Sequence, residues 1–346
     1  MKALQLTEWQ HEPELRDVPD PDPRPGEVVV RIGGAGACHS DLHVMHEFTE
    51  GAVSWKPPFT LGHENAGWVD AVGAGVDDVH VGQPVAVYGA WGCGQCHRCR
   101  QGMENYCERQ AEIGTAGGGL GLDGGMAPRM LVPSARLLVP LGDLDPAEAA
   151  PLTDAGLTPY HAVKRSLPLL IPGSTAVAIG AGGLGHMAIQ FLKALSPATV
   201  IAVDQRPDAL RLAADLGADH GVLAGEDAVA EIRDLTGGKG AEVVLDLVGV
   251  DATLALAAGV VRPMGHLTIV GIGGGRLTVG WGVTAAEASV ASTYWGSVPE
   301  LIEVIALAAA GRVRAHIQRV ALEDAMDAYR SMGEGTLDGR AVIVPS

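Results

Sequence analysis

One continuous stretch constrains the fold of this chain more than any other. The apolar run Ser174-Thr175-Ala176-Val177-Ala178-Ile179 leads directly into Gly180-Ala181-Gly182-Gly183-Leu184-Gly185, and a helical pattern with Leu184, Ala188, Phe191 and Leu195 on one face follows. In a strand, G-x-G-x-x-G, helix order, backbone N–H groups and a helix N-terminus can approach a pyrophosphate with no Cβ in the way. Among the chain's 48 glycines the motif alone would carry little weight, and its setting between strand and helix is what counts. Asp204 ends the next strand, Ala198–Asp204, about 20 residues past Gly185, where a carboxylate accepts hydrogen bonds from the adenosine ribose. The same charge repels a 2′-phosphate, so NAD is expected over NADP. Arg206, counted with Gly180, Gly182, Gly183, Leu184, Gly185 and Asp204 among the cofactor contacts, pulls slightly the other way.

The alternation continues. Pro207 opens a helix that Gly217 stops, residues 241–249 form a strand, a helix begins near Asp251, and residues 266–273 form another strand. This pattern predicts an α/β fold with a doubly wound parallel sheet. Upstream the texture is different. Short β-branched runs at 26–32, 66–72 and 84–88, bounded by Gly and Pro, read as irregular β-rich structure up to about residue 150. The helical stretches 301–311 and 322–332 and the strand 340–345 fall outside the alternation and are expected to return to the first domain. The expected domains are residues 1–152 with 291–346, and residues 153–290.

Four of the five cysteines, Cys93, Cys96, Cys99 and Cys107, lie within fifteen residues as C-x2-C-x2-C-x7-C. Four thiolates so close in sequence can wrap a tetrahedral Zn²⁺ and leave no open position, which is a structural site. His97 inside that loop reads as a solvated side chain. A zinc-ribbon nucleic-acid binder is disfavoured by 41 acidic against 24 basic residues, a formal charge of −17, because phosphate backbones and anionic membranes attract basic faces. The first residues contain no apolar stretch suited to a signal peptide, and the chain reads as cytoplasmic.

Cys38-His39-Ser40-Asp41-Leu42-His43 and Gly62-His63-Glu64 place a lone thiol and an imidazole on separate segments. A catalytic zinc needs three protein ligands and one open position. Cys38 and His63 make two, and the residues themselves leave the third open.

Gly62-His63-Glu64-x2-Gly67-x5-Gly73-x2-Val76, the four-cysteine lobe and the Gly180 loop, in this order, resemble the zinc-dependent medium-chain alcohol dehydrogenases along the whole chain. More narrowly, PLTDAGLTPYHAVKRSLP and Tyr294-Trp295-Gly296 look like bacterial secondary-alcohol and aryl-carbonyl dehydrogenases. The resemblance implies a GroES-like catalytic domain and a Rossmann cofactor domain, with two Zn²⁺ per subunit and NAD. It makes Asp154 the third ligand beside Cys38 and His63, and Glu64 a carboxylate that approaches the metal during ligand exchange. Ser40 becomes the first proton acceptor, with the relay ending at His43. Thr158, Val270, Ile272 and Arg340 become further cofactor contacts, Arg340 to the pyrophosphate. His39, Trp55, Leu120, Tyr294 and Trp295 line the substrate pocket, which suits apolar or aryl alcohols and the matching carbonyls. A homotetramer is expected, with a dimer as the other option. A polyol or amino-alcohol dehydrogenase of the same fold and a nonenzymatic dinucleotide sensor are the competing readings. Zinc-free quinone reductases lack the Cys38 and His63 pair and the cysteine lobe.

Overall fold

The computed structural model describes residues 1–337 and 339–345. The chain forms two compact units, Met1–Leu157 together with the segment from Gly296 onward, and Thr158–Trp295. Both crossovers lie five residues beyond the expected boundaries, which puts Asp154 in the same unit as Cys38 and His63.

In the second unit six strands form one parallel sheet in the order His220–Leu223, Thr199–Asp204, Thr175–Ile179, Ala241–Asp246, Val261–Ile269, Ser289–Ser292. Numbered along the chain this is 3-2-1-4-5-6, the dinucleotide-binding order, and the Gly180 loop leaves strand 1 where that order reverses. Val177, Ile179, Val203, Val244 and Leu267 are buried in its core, which explains the unbroken apolar runs of the central strands. The two edge strands escaped the sequence reading. Each is four residues long and largely solvent-facing, so neither presents a continuous apolar run.

The first unit is built on a seven-stranded sheet whose main path runs Leu138–Pro140, Pro84–Val87, Glu64–Val72, Val28–Gly36, Arg340–Val344, Ile317–Ala321, with Arg129–Val132 also paired to Val28–Gly36. A separate three-stranded sheet has the order Glu14–Asp17, Lys2–Leu6, Phe59–Thr60. The tail strand Arg340–Val344 pairs antiparallel with the end of Val28–Gly36, which also pairs antiparallel with Glu64–Val72. Gly36 faces both Glu64 and Val342 in register, so one central strand separates two segments nearly the whole chain apart.

Candidate active site

Cys38 ends the run that follows strand Val28–Gly36 and caps the helix His39–His46. The Asp41 carboxylate, in the first turn, reaches back to accept the Cys38 N–H at 3.0 Å. This is half of a capping box, with Cys standing where Ser or Thr is usual. His63 immediately precedes the neighbouring strand, Glu64 begins it, and Asp154 follows the short 3-10 turn Ala150–Thr153.

One donor atom from each of Cys38, His63, Glu64 and Asp154 lies within 4.8 Å of all the others. Cys38 Sγ is 3.8 Å from Asp154 Oδ2, and His63 Nε2 is 3.5 Å from the same oxygen. Tetrahedral zinc with bonds of about 2.0–2.3 Å requires ligand atoms about 3.3–3.8 Å apart, so this sulfur, nitrogen and oxygen set fits such an ion. Ser40 Oγ stands 3.2 Å from His63 Nε2, beside the same atoms. His43 is one helical turn further on, partly exposed, with Nδ1 2.7 Å from Glu47. His39, the first residue of the helix, is exposed.

The surroundings of the cluster were largely invisible in the sequence. His63 Nδ1 lies 3.0 Å from Asp41 Oδ1, and both side chains are sealed from solvent. Burial pushes the imidazole pKa down, yet the Asp41 charge and hydrogen bonds to Asp154, Asp41 and Cys38 hold it well above its ordinary value. Burial likewise raises the Asp41 carboxyl, and the facing His63 with its other donors brings the net below the usual carboxylate range. Asp41 was readable only as an acidic residue in the first turn of a helix opened by Cys38.

Arg340, expected as a pyrophosphate contact, is paired within the chain: its guanidinium is 4% exposed and donates through Nε to Glu64 Oε2 at 3.1 Å and through Nη2 to Glu64 Oε1. Gly36 makes this possible, since a Cβ on it would stand 2.0 Å from Glu64 Oε2. Burial pushes the Glu64 carboxyl up to about 7 despite the pull of Arg340.

The four cysteines of the lobe are free thiols. Cys93 and Cys99 sulfurs are 3.9 Å apart, Cys96 and Cys99 3.4 Å, and Cys96 and Cys107 4.0 Å, against about 3.8 Å expected for four thiolates at zinc–sulfur bonds of about 2.3 Å. Backbone N–H groups of Gln95 and Cys96 point at Cys93 Sγ at 3.5 and 3.3 Å and lower its pKa to about 6, which favours the thiolate a metal needs. The group fits a structural zinc. His97 is exposed and outside it.

Trp55 belongs to an aromatic group with Trp9, Phe48 and Phe59, its ring centroid 5.4, 5.9 and 5.4 Å from theirs. Trp9 and Phe48 went unnoticed in the sequence because neither lies near a motif. A Cβ on Gly121 would sit 2.6 Å from Trp55 Cβ, so the hairpin carrying Leu120 backs onto that ring, and a Cβ on Gly119 would sit 2.6 Å from the Gly62 backbone. Leu120 is half-buried.

In the second unit Gly180 takes a left-handed φ of 90°, and a Cβ on Gly185 would stand 1.8 Å from Gly180 O. Those two glycines are what lets the loop fold back so tightly; Gly182, Gly183 and Leu184 lie between them, Leu184 capping the helix that begins at Gly185. The Asp204 carboxylate accepts the Ala181 N–H at 2.8 Å and the Arg206 N–H at 2.9 Å, so it stands at the lip of the loop. Val270 is buried, Ile272 exposed, and both follow strand Val261–Ile269 at the sheet end from which the Gly180 loop rises. Thr158 is buried in its helix. Tyr294 is half-exposed and Trp295 buried, their rings edge to face at 5.7 Å.

The cysteine lobe, the mixed-donor cluster and the doubly wound dinucleotide sheet place the chain in the zinc-binding dehydrogenase class of oxidoreductases. The alcohol dehydrogenase GroES-like domain matches residues 24–143, and the zinc-binding dehydrogenase domain matches residues 183–310. The chain belongs to the zinc-dependent medium-chain alcohol dehydrogenase family. An NAD-dependent alcohol dehydrogenase of Sulfurisphaera tokodaii is 38% identical over 355 residues, covering 100% of both chains. A D-arabinose 1-dehydrogenase (NADP(+)) of Saccharolobus solfataricus is 36% identical, over 99% of this chain and 97% of that one. The crystal structure of the alcohol dehydrogenase from Aeropyrum pernix superposes with a TM-score of 0.93 at 39% identity, covering 100% of each.

Proposed function

We propose that the protein is a zinc- and NAD-dependent alcohol dehydrogenase that interconverts secondary or aryl alcohols with the matching ketones and aldehydes. The cluster of Cys38, His63 and Asp154 donors, with the Ser40 hydroxyl 3.2 Å from His63 Nε2, carries this reading. A divalent zinc at these donors would supply Lewis acidity, lowering the pKa of a substrate hydroxyl toward neutrality. The Cys38 thiolate and the Asp154 carboxylate would balance its two positive charges, while a neutral His63 adds none.

Ser40 accepts the hydroxyl proton, and His43, on the same helix one turn away, is the end of the relay and exchanges the proton with solvent. Glu64, tethered by Arg340, is the carboxylate that approaches the metal when ligands exchange. The Gly180 loop and the helix from Gly185 receive the pyrophosphate, with Thr158, Val270 and Ile272 toward the nicotinamide. Asp204 at the loop lip favours the ribose hydroxyls of NAD. The aromatic group around Trp55, with Leu120, supports an apolar or aryl substrate, and Tyr294, Trp295 and His39 complete the proposed lining. Two zinc ions per subunit, a homotetramer and a cytoplasmic setting complete the proposal. No helix among the described residues is long and apolar enough to cross a membrane.

The likeness to a pentose dehydrogenase favours a second reading, a polyol or sugar dehydrogenase. NADH formation by the purified protein from 1-phenylethanol, compared with D-arabinose, with NADP⁺ and with chelator-treated protein, separates the two. NAD⁺-linked turnover of 1-phenylethanol that metal removal abolishes is expected. Turnover of the pentose alone would replace the substrate class, and no turnover despite bound zinc and NAD⁺ would favour a dinucleotide sensor.

A further inference from the structure

Tyr329 has no part in the reading above, yet it reaches the centre of the site. It lies on the tail helix Ala325–Gly333, and its hydroxyl donates to Asp41 Oδ2 at 2.7 Å across a sequence separation of 288. The side chain is wholly buried, and its oxygen also lies 3.4 Å from Met126 Sδ. The Met126 N–H in turn bonds Leu61 O at 2.9 Å, two residues before His63.

Asp41 is thus gripped from three sides. Oδ2 takes the Cys38 N–H and the Tyr329 hydroxyl, and Oδ1 faces His63 Nδ1 at 3.0 Å. We infer that Tyr329 is a positioning residue for the Cys38, His63 and Asp154 metal site: by fixing the Asp41 carboxylate it sets the tautomer and ring orientation of His63, so that Nε2 faces the other donors. The inference rests on the reading of that cluster as a metal site.

The terminal torsion of an aspartate is broad, so a carboxylate held by one backbone N–H alone can swing. A second donor on the same oxygen fixes its plane, and the plane fixes where Oδ1 meets the imidazole. An imidazole with Nδ1–H committed to a carboxylate presents its bare Nε2 to a metal. Burial and the adjacent Asp41 charge raise the Tyr329 pKa well above its ordinary value, so the phenol stays a donor. A residue needed merely for packing would be replaceable by Phe without consequence at the metal.

The test compares the full-length wild type with Tyr329→Phe. Release of metal to a chelator is followed with the four-cysteine metal as an internal reference, and the visible spectrum is recorded with cobalt at the Cys38 site. Release from the Cys38 site is expected to be about 10-fold faster, with the cysteine lobe unaffected and the cobalt bands shifted. Asp41→Asn should give the same changes, and the double variant should be no worse than Asp41→Asn alone. Unchanged release and spectrum, even with a lower Tm, would overturn the inference. Should the Phe variant not accumulate, Tyr329→His retains a ring N–H: release at the wild-type rate supports the inference, and release as fast as in Asp41→Asn overturns it. A wild type that carries metal only in the cysteine lobe would instead remove the underlying site, an outcome visible before any variant is made.

Discussion

Glu64 and Arg340 meet across the strand that separates them, over the bare backbone of Gly36, at a sequence separation of 276. Removing one member of a buried ion pair leaves the other charge stranded, a loss of about 3–5 kcal/mol. Arg340→Ala is expected to destabilise by that order in denaturant titration. Gly36→Ala should also perturb the pair, because its Cβ occupies the place of Glu64 Oε2.

Glu64 also makes stability depend on pH in an unusual direction. Its pKa in the folded chain, about 7, lies above the unfolded value near 4.5, so the folded state holds the proton more tightly. Stability associated with this group is therefore present below about 4.5 and is lost as pH rises through about 7. In protein depleted of metal at the Cys38 site, the fall in Tm between pH 5 and pH 8 should be smaller in Glu64→Gln than in the wild type, on top of the pH-independent loss from leaving Arg340 without its partner. Thermal melts of both proteins at pH 5 and pH 8 read the two slopes directly, and equal slopes would contradict the prediction.

Cys99→Ser should cost one zinc equivalent per chain and lower Tm by roughly 10 °C, since a structural metal contributes its binding free energy to folding. Metal analysis alongside calorimetry checks both. Retention of full zinc content would mean that the lobe does not hold the ion.

Gly185→Ala pushes a methyl group into Gly180 O. The loop must open to relieve it, and NAD⁺ affinity is expected to fall at least 10-fold, as read by quenching of protein fluorescence. Zinc content should be unaffected, because both candidate metal-donor groups found among the described residues lie in the other unit.

Asp204→Ser removes the charge that opposes a 2′-phosphate while keeping a short hydrogen-bonding side chain. The preference for NAD⁺ over NADP⁺ in kcat/KM should drop by about 10-fold or more, a loss of about 1.4 kcal/mol in discrimination. An unchanged ratio would shift the assignment to Arg206 or to groups outside this loop.

How far the sequence disclosed this arrangement depended on the range of each signal. The glycine loop, Asp204 and the four-cysteine spacing are local patterns, and their reading needed only neighbouring residues. The parallel sheet was legible wherever a strand was buried on both faces, and invisible at His220–Leu223 and Ser289–Ser292, where solvent permits polar residues. Cys38 and His63 stood out by residue type, whereas Asp154 entered only through resemblance, because one carboxylate among 41 acidic residues carries no mark of its own. The Asp41, Tyr329 and Arg340 contacts depend on strand register and on a tail helix returning to the first unit, which no local spacing encodes.

That return of the tail bears on how the protein is made. Synthesis runs from the N-terminus, so Cys38, His63 and Asp154 are all present before the whole Thr158–Trp295 unit is translated, and Tyr329 and Arg340 follow it. A nascent chain at that stage has its metal donors but neither the phenol that steadies Asp41 nor the guanidinium that holds Glu64. On the proposed reading of the site, an ion captured then would sit in a yielding cleft and exchange, which matters because bare donor sets rank copper above zinc. The docking of the last strand would thus be the step at which the site could first hold on to one metal rather than another.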